Sequence, residues 1–434
     1  MEYKKVDMHA YNLHMIKTSN FKRIFVKINF RKPIEKSDIT NLNFLSDILL
    51  DSTKNFPDNR SLAIEAEKNY DLNVSSTNTR LGNYINSSYQ MVSLNEKYTE
   101  KGSFSKAFDF FMEILFKPNA KNKKFDEKSF NIIKNTMESQ IKSIKENKGK
   151  YSVMRMLEIM DSNSPISLRG IGYMDDLEAI TPSSLYEYYE MMLNQNLIDV
   201  FVLGDIDFNK ITEMFRENFK VNTLKKPKKE LICIQSSSKS VPQKIIEFDD
   251  ITQAKLAIGC KLNNLTEFES KYVMVIYNMI LGEGCDSKFF KEIREKKSLC
   301  YYVNSSYTRI DNLFTIVSGI DKDKLNNVVD SIKMCMKDMT KGTFTDEEIE
   351  IAKNNINCSL DSIYDSPTRI MNTYFCTEVT ELDPLDVRRK KYNEVTREDI
   401  IKVSKKIKID TIYLLSGGEN LGKNQNFWSW RNFL

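Results

Sequence analysis

Two stretches of alternating hydrophobic and polar residues, one in each half of the chain, predict β-strands with one buried face. Residues 23–30 (RIFVKINF) are apolar at every second position, and residues 254–262 (AKLAIGCKL) place Leu256 and Ile258 on one face in the same way. An amphipathic helix is predicted after each strand, because apolar residues then recur at spacings of three and four. These residues are Leu42, Leu45 and Leu49 in the first half, and Tyr272, Val275 and Met279 in the second.

The remaining elements also follow the same order in both halves. Strands are predicted at 73–79, 84–93, 299–307 and 313–319, and helices near 104–116, 126–147, 322–339 and 345–363. Each half then closes with a capped helix and a short apolar strand. Thr181 precedes Pro182, a favoured first helical residue, and Thr396 has Asp399 three residues later, a weak capping box. This repetition indicates a duplicated domain.

The predicted fold class is α+β, with two homologous halves that each contain an antiparallel-rich β-sheet with helices packed on one face. The first domain is expected at residues 1–220 and the second at 245–434. Residues 221–244 between them are rich in Lys, Ser and Pro, and we expect an exposed linker with one strand at 230–235.

Composition narrows the classes of partner and compartment. The 64 basic residues nearly balance the 60 acidic residues, which gives no reason to expect nucleic acid or an acidic membrane as a partner. No apolar stretch is long enough to span a bilayer, and the start of the chain has no apolar core typical of a signal peptide. The seven cysteines all lie from Cys233 onward without metal-type spacing, as expected for reduced thiols in the cytoplasm. A high content of Lys, Asn and Ile indicates an AT-rich bacterial genome.

Residues 281–303 (LGEGCDSKFFKEIREKKSLCYYV) contain the most specific motif. Asp286 or Ser287 can cap a helix in which Arg294 lies near the C-terminal end, where the helix dipole alone favours a cation. The chain then turns and enters a strand in which Tyr301 and Tyr302 face opposite ways.

This motif resembles the second-half signature of the M16 (pitrilysin/insulinase) peptidase family, whose fold is a clamshell of such halves. The matching positions are Ser287 to Phe290, followed by Ile293, Arg294, Glu295, Lys296, Leu299 and Tyr301. The resemblance implies that Arg294 and Tyr301 project into a peptidase chamber, hold substrate carbonyl oxygens and help to stabilise the tetrahedral intermediate. Tyr302 is the alternative to Tyr301.

The first half lacks the zinc motif of that family. Residues 43–47 read Asn-Phe-Leu-Ser-Asp where that family has His-x-x-Glu-His. Asn43 and Asp47 therefore stand at the positions of the two histidines, and Ser46 stands at the position of the glutamate. The third zinc ligand falls near Gln140, with Glu138 close by. Asn43, Ser46 and Asp47 share one helix face, and the simplest alternative is that they form a solvated polar face. Because only His9 and His14 are present, we expect no catalytic metal in this chain.

The resemblance therefore implies a zinc-lacking, non-catalytic subunit of a heterodimeric M16 peptidase. Zinc and His-x-x-Glu-His are expected in a partner chain, and the substrate is expected to be an unfolded peptide. The alternative is a stand-alone or homodimeric peptide-binding scaffold without an enzymatic partner. An independent hydrolase is disfavoured, because no Gly-x-Ser-x-Gly motif occurs and His14 is expected on a strand face. The C-terminal Trp428 and Trp430 are expected to dock on their own domain or at a partner interface.

Overall fold

The computed structural model describes residues 1–222, 231–233, 236 and 238–418. Of the strand predicted at 230–235, residues 231–233 are described and are not part of a β-strand, whereas residues 230, 234 and 235 lie outside the described residues. Trp428 and Trp430 also lie outside them. The strands are β1 (Glu2–Asp7), β2 (Asn12–Lys17), β3 (Arg23–Pro33), β4 (Asn73–Leu81), β5 (Tyr84–Leu94), β6 (Ala120–Lys121), β7 (Lys124–Phe125), β8 (Leu197–Gly204), β9 (Gln243–Asp249), β10 (Ala254–Leu262), β11 (Cys300–Thr308), β12 (Leu313–Ile320) and β13 (Ile407–Gly417).

The α-helices are α1 (Lys36–Asp51), α2 (Asn59–Lys68), α3 (Ser103–Phe116), α4 (Glu127–Lys142), α5 (Lys148–Met160), α6 (Met174–Ala179), α7 (Pro182–Gln195), α8 (Phe208–Asn218), α9 (Met274–Leu281), α10 (Leu325–Lys341), α11 (Asp346–Asp361), α12 (Pro367–Thr380), α13 (Leu385–Glu394) and α14 (Arg397–Ser404). Two short π-helices also occur, Glu269–Val273 and Phe290–Glu295.

The chain divides into two compact units that exchange segments. Unit 1 comprises Met1–Ile144, Leu168–Leu231 and Ser362–Glu381, and unit 2 comprises Lys145–Ser167, Ile232–Asp361 and Leu382–Leu434. The sequence predicted two continuous domains, 1–220 and 245–434, whereas each compact unit is discontinuous. Helix α5 belongs to unit 2 and helix α12 belongs to unit 1.

Unit 1 contains a six-stranded sheet with the order β1-β2-β8-β3-β5-β4. β2 and β8 pair in parallel, and the other neighbours pair antiparallel. The predicted alternation in β3 holds, because Val26, Ile28 and Phe30 are fully buried and pack in one core with the leucines of α1. Helix α4 joins this core, and the rings of Phe44 and Phe130 stack with centroids 4.6 Å apart.

Unit 2 contains a five-stranded sheet with the order β11-β12-β10-β13-β9, in which β9 and β13 pair in parallel. The other neighbours are again antiparallel. Both capped helices form as the sequence predicts: Thr181 begins α7 and Thr396 begins α14, each with a reciprocal capping box. The predicted α+β class with two similar antiparallel-rich halves is thus confirmed.

Each sheet also has one helix on the face opposite its main helical layer, which the pattern of residues did not predict. In unit 1, Ile370 and Met371 of α12 pack on Phe201 and Leu203 of β8. In unit 2, α5 packs on β10, where Gly259 leaves room for the sulfur atoms of Met156 and Met160. The predicted helix at 126–147 ends earlier, at Lys142, and Asn147 caps α5 as a separate helix.

Candidate functional site

The positions that correspond to the zinc motif lie on α1, which starts with a reciprocal cap between Glu35 and Asp38. Asn78 of β4 connects two of these positions. Its side-chain amide donates to Asn43 Oδ1 at 3.1 Å and to Ser46 Oγ at 3.0 Å. Asn43 in turn donates to the carbonyl oxygen of Gly170 at 2.9 Å. These polar atoms therefore satisfy one another through hydrogen bonds.

Ser46 reaches deeper into unit 1 and approaches the hydroxyl of Tyr89 on β5 at 3.5 Å. Ser46 is only 2% exposed, so the α1 face is not simply solvated. Burial raises the pKa of Tyr89 to about 12, and the charge of Asp47 acts in the same direction. Burial also raises the pKa of the half-exposed Asp47 above its ordinary value.

The third predicted ligand position does not join this cluster. Gln140 on α4 is exposed, and its main-chain carbonyl accepts a hydrogen bond from the hydroxyl of Ser143 at 3.0 Å. The nearby Glu138 pairs with Lys142 one turn along the same helix. Within the described parts of the chain, no group of three His, Cys, Asp or Glu side chains could hold a metal ion. The residues present do not fit a zinc ion.

His14, which the sequence places on a strand face, lies on β2 and is fully buried. Its Nε2 lies 3.2 Å from Asp199 Oδ1, and its Nδ1 lies 2.8 Å from the hydroxyl of Tyr3. Its ring stacks on Phe201 with centroids 4.3 Å apart. His14 is thus a structural residue of unit 1.

Arg294 lies in the π-helix Phe290–Glu295 of unit 2, where the sequence predicted an α-helix. Ser287 starts this helical segment, and its hydroxyl accepts from the main-chain N–H of Phe290 at 3.4 Å. The wider turn of a π-helix is common at functional sites. The guanidinium of Arg294 is exposed and lies 4.8 Å from the ring centroid of Phe290. A fixed aromatic neighbour limits the conformations of this cation.

Tyr301 lies at a β-bulge, because Cys300 pairs with Ile320 and Tyr302 pairs with Gly319. The bulge leaves Tyr301 as the unpaired residue, and 58% of its surface is exposed. Its hydroxyl donates to Asp321 Oδ1 at 3.2 Å. Tyr302 is half-buried against Gly319, with Lys255 Nζ 5.5 Å from its ring centroid. Tyr301 is therefore the more accessible of the two phenols.

The glycine-rich turn before this helix has a packing role. Any Cβ at Gly282 would overlap with the side chains of Ser305 and Phe289, and Gly284 has a φ of 89°. The carbonyl of Gly282 accepts from the N–H of Ser305 at 3.0 Å, which ties the turn to β11. A tight turn accounts for these glycines.

Comparison with known proteins identifies the fold family. Residues 179–356 match the model of the peptidase M16 inactive domain. Over these residues the chain is similar to M16 peptidases. The matched residues include Arg294 and Tyr301, and the resemblance predicted from the motif is confirmed.

Known proteins are similar to nearly the whole chain. The probable inactive metalloprotease YmfF of Bacillus subtilis is 27% identical over 94% of this chain and 96% of its own length. A conserved protein from Enterococcus faecalis V583 has a similar crystal structure, with a TM-score of 0.89 and 23% identity over 97% of this chain and 100% of that one. A peptidase M16 inactive domain from Pseudomonas fluorescens superposes with a TM-score of 0.78 and 15% identity over 98% and 100% of the two chains.

Two residues of the candidate site, Asn78 and Asp321, were not singled out by the sequence. Asn78 lies on the strand predicted at 73–79, and alternation along that strand would have directed it toward α1. Asp321 follows β12, and only the fold brings it to Tyr301. Among the described helices, none has the length and hydrophobicity needed to cross a membrane.

Proposed function

We propose that this chain is the non-catalytic subunit of a heterodimeric M16-type zinc peptidase in a bacterial cytoplasm. A partner chain with an intact His-x-x-Glu-His motif supplies zinc and the glutamate that activates water. This chain completes the chamber and presents Arg294 and Tyr301 to a bound, unfolded peptide. The proposal rests on a contrast between two regions. Asn43 and Ser46, at positions that align with the zinc motif, are hydrogen-bonded to Asn78. Arg294 and Tyr301, in contrast, are exposed.

The chemistry of Arg294 supports this role. A guanidinium is always charged and carries a rigid set of N–H donors suited to carbonyl oxygens and to developing negative charge. Phe290 restricts the side chain on one side, so less conformational entropy is lost when a peptide binds.

The compartment is proposed from the thiols. All seven cysteines are free in the structure, and Cys285 and Cys358 are exposed. Exposed free thiols persist in a reducing cytoplasm and are oxidised in secreted proteins. This observation supports a cytoplasmic enzyme.

A second candidate function is a peptide-binding protein that acts without an enzymatic partner, alone or as a homodimer. It is favoured by the position of β4, one of the two outer strands of the described sheet in unit 1. An outer strand can pair with an extended peptide through main-chain hydrogen bonds. In this case peptide binding would not depend on a second M16 chain.

The test is association with the M16 chain of the same genome that carries His-x-x-Glu-His. Both chains are purified, mixed, and analysed by size-exclusion chromatography with light scattering. The proposal predicts a complex with one copy of each chain at micromolar concentration. Separate elution of the two chains, with peptide bound by this chain alone, would support the second candidate instead.

A further inference from the structure

The contact between Tyr301 and Asp321 suggests how the phenol is used. Asp321 follows directly after β12, and its neighbour Ile320 pairs with Cys300 across the sheet. Because Tyr301 is the extra residue of the bulge, regular strand pairing does not fix its direction. The hydrogen bond to Asp321 supplies that direction.

Asp321 is itself held in place. Lys324 lies 2.9 Å from its second carboxylate oxygen, Oδ2, while Oδ1 accepts the hydrogen of Tyr301. The hydrogen bond from Lys324 and, to a smaller extent, the hydrogen bond from Tyr301 hold the pKa of Asp321 below its ordinary value. The carboxylate is therefore ionised and available as an acceptor at neutral pH.

The number of hydrogens on the phenol limits its role. A tyrosine hydroxyl has one hydrogen to donate and lone pairs that accept. While the hydrogen points to Asp321, the oxygen cannot donate to a peptide carbonyl, but it can accept a main-chain N–H. An extended peptide offers both groups, so the donor Arg294 and the acceptor Tyr301 can bind complementary atoms of one backbone.

We propose that Asp321 is a positioning residue that orients Tyr301 to accept a main-chain N–H of the bound peptide, an inference that rests on the proposed function. Asp321 does not contact the peptide itself. This assigns Tyr301 to substrate binding and leaves carbonyl recognition to Arg294.

The test is steady-state kinetics of the complete heterodimer on a fluorogenic peptide. Asp321→Ala is expected to raise KM about five- to tenfold with little change in kcat, since a hydrogen bond of about 1 kcal/mol is lost equally from the bound substrate and the transition state. Asp321→Asn keeps an oxygen acceptor and is expected to stay within about twofold of the wild type. In a Tyr301→Phe background, Asp321→Ala should have no further effect.

The matched control is Asp323→Ala, an exposed aspartate two residues further on, which should leave KM unchanged. If the wild-type heterodimer is active and the Asp321→Ala variant has an unchanged or lower KM, the positioning role is overturned while the proposed function stands. Equal effects of Asp321→Ala with and without Tyr301 also overturn it. A wild-type mixture with no activity overturns the proposed function and the positioning role together.

Discussion

The hydroxyl of Tyr3 and the carboxylate of Glu378 lie 2.7 Å apart, although 375 residues separate them in the chain. The same hydroxyl contacts His14, whose other ring nitrogen contacts Asp199. Arg31 also donates to Asp199, so a line of polar side chains connects α12 with the middle of the sheet. A hydrogen-bond chain that begins at the partly exposed Tyr3–Glu378 pair and ends at the buried Asp199 thus adds to the apolar packing that holds α12 in unit 1.

Removing Asp199 should strongly destabilise unit 1. Its side chain is almost completely buried, and His14 and Arg31 would lose their shared acceptor. We expect Asp199→Ala to lower the free energy of unfolding by about 3 kcal/mol, as for other broken buried pairs. Urea denaturation measures this change. The control is Asp109→Ala on the exposed side of α3, and a loss no larger than that of the control would contradict the prediction.

Asp199 also predicts how stability depends on pH. Burial raises the pKa of Asp199, but the hydrogen bond from His14 and the charge of Arg31 outweigh this effect and hold the pKa well below its ordinary value. An aspartate with a lowered pKa stabilises the folded state above its unfolded pKa of about 4 and loses that contribution at lower pH. Unfolding of the wild type, measured from pH 6 to about pH 2.5, should therefore show a steeper loss below pH 4 than unfolding of Asp199→Ala. Parallel curves would refute this assignment.

The hydrogen bonds between α1 and β4 should contribute to stability as a group. Asn78→Ala and Ser46→Ala are each expected to cost about 1 kcal/mol. Because the two side chains share a hydrogen bond, the double variant should lose less than the sum of the two single variants. Thr79→Ala, the exposed next residue on β4, is the control. Strict additivity would mean that the two side chains do not interact.

Metal analysis provides an independent check on the same region. We predict that tag-free protein contains far less than one zinc per chain and that added zinc does not raise its melting temperature. The physical reason is that Asn43, Ser46 and Asp47 supply no imidazole, while Gln140 is exposed on α4. Stoichiometric zinc that survives dialysis would overturn this prediction.

The sequence predicted the repeated elements well because their signals are local. Alternation located β3 and β10 nearly to the residue, and Thr181 and Thr396 marked helix starts through capping. The exchange of α5 and α12 could not be predicted, since an amphipathic helix does not specify which sheet it packs on. The sequence likewise placed Arg294 and Tyr301 in one local motif but gave no indication of Asp321, because Asp321 reaches Tyr301 only through the pairing of β11 with β12.

Arg294 should affect turnover more than substrate affinity. Its donors are proposed to act on charge that develops in the transition state, so Arg294→Ala is expected to lower kcat of the heterodimer about 100-fold. Lys296→Ala, an exposed cation of the same segment, should have little effect. The measurement is single-substrate kinetics on the purified complex. An unchanged kcat would remove Arg294 from the proposed site.

The most direct test of the central claim compares peptidase activity in three samples. These are this chain alone, the M16 chain with His-x-x-Glu-His alone, and the two together, each assayed on a quenched fluorescent peptide library. We predict cleavage only in the mixture, and complete loss of cleavage after chelation of zinc. A zinc-bearing chain that is fully active alone and indifferent to this one would contradict it.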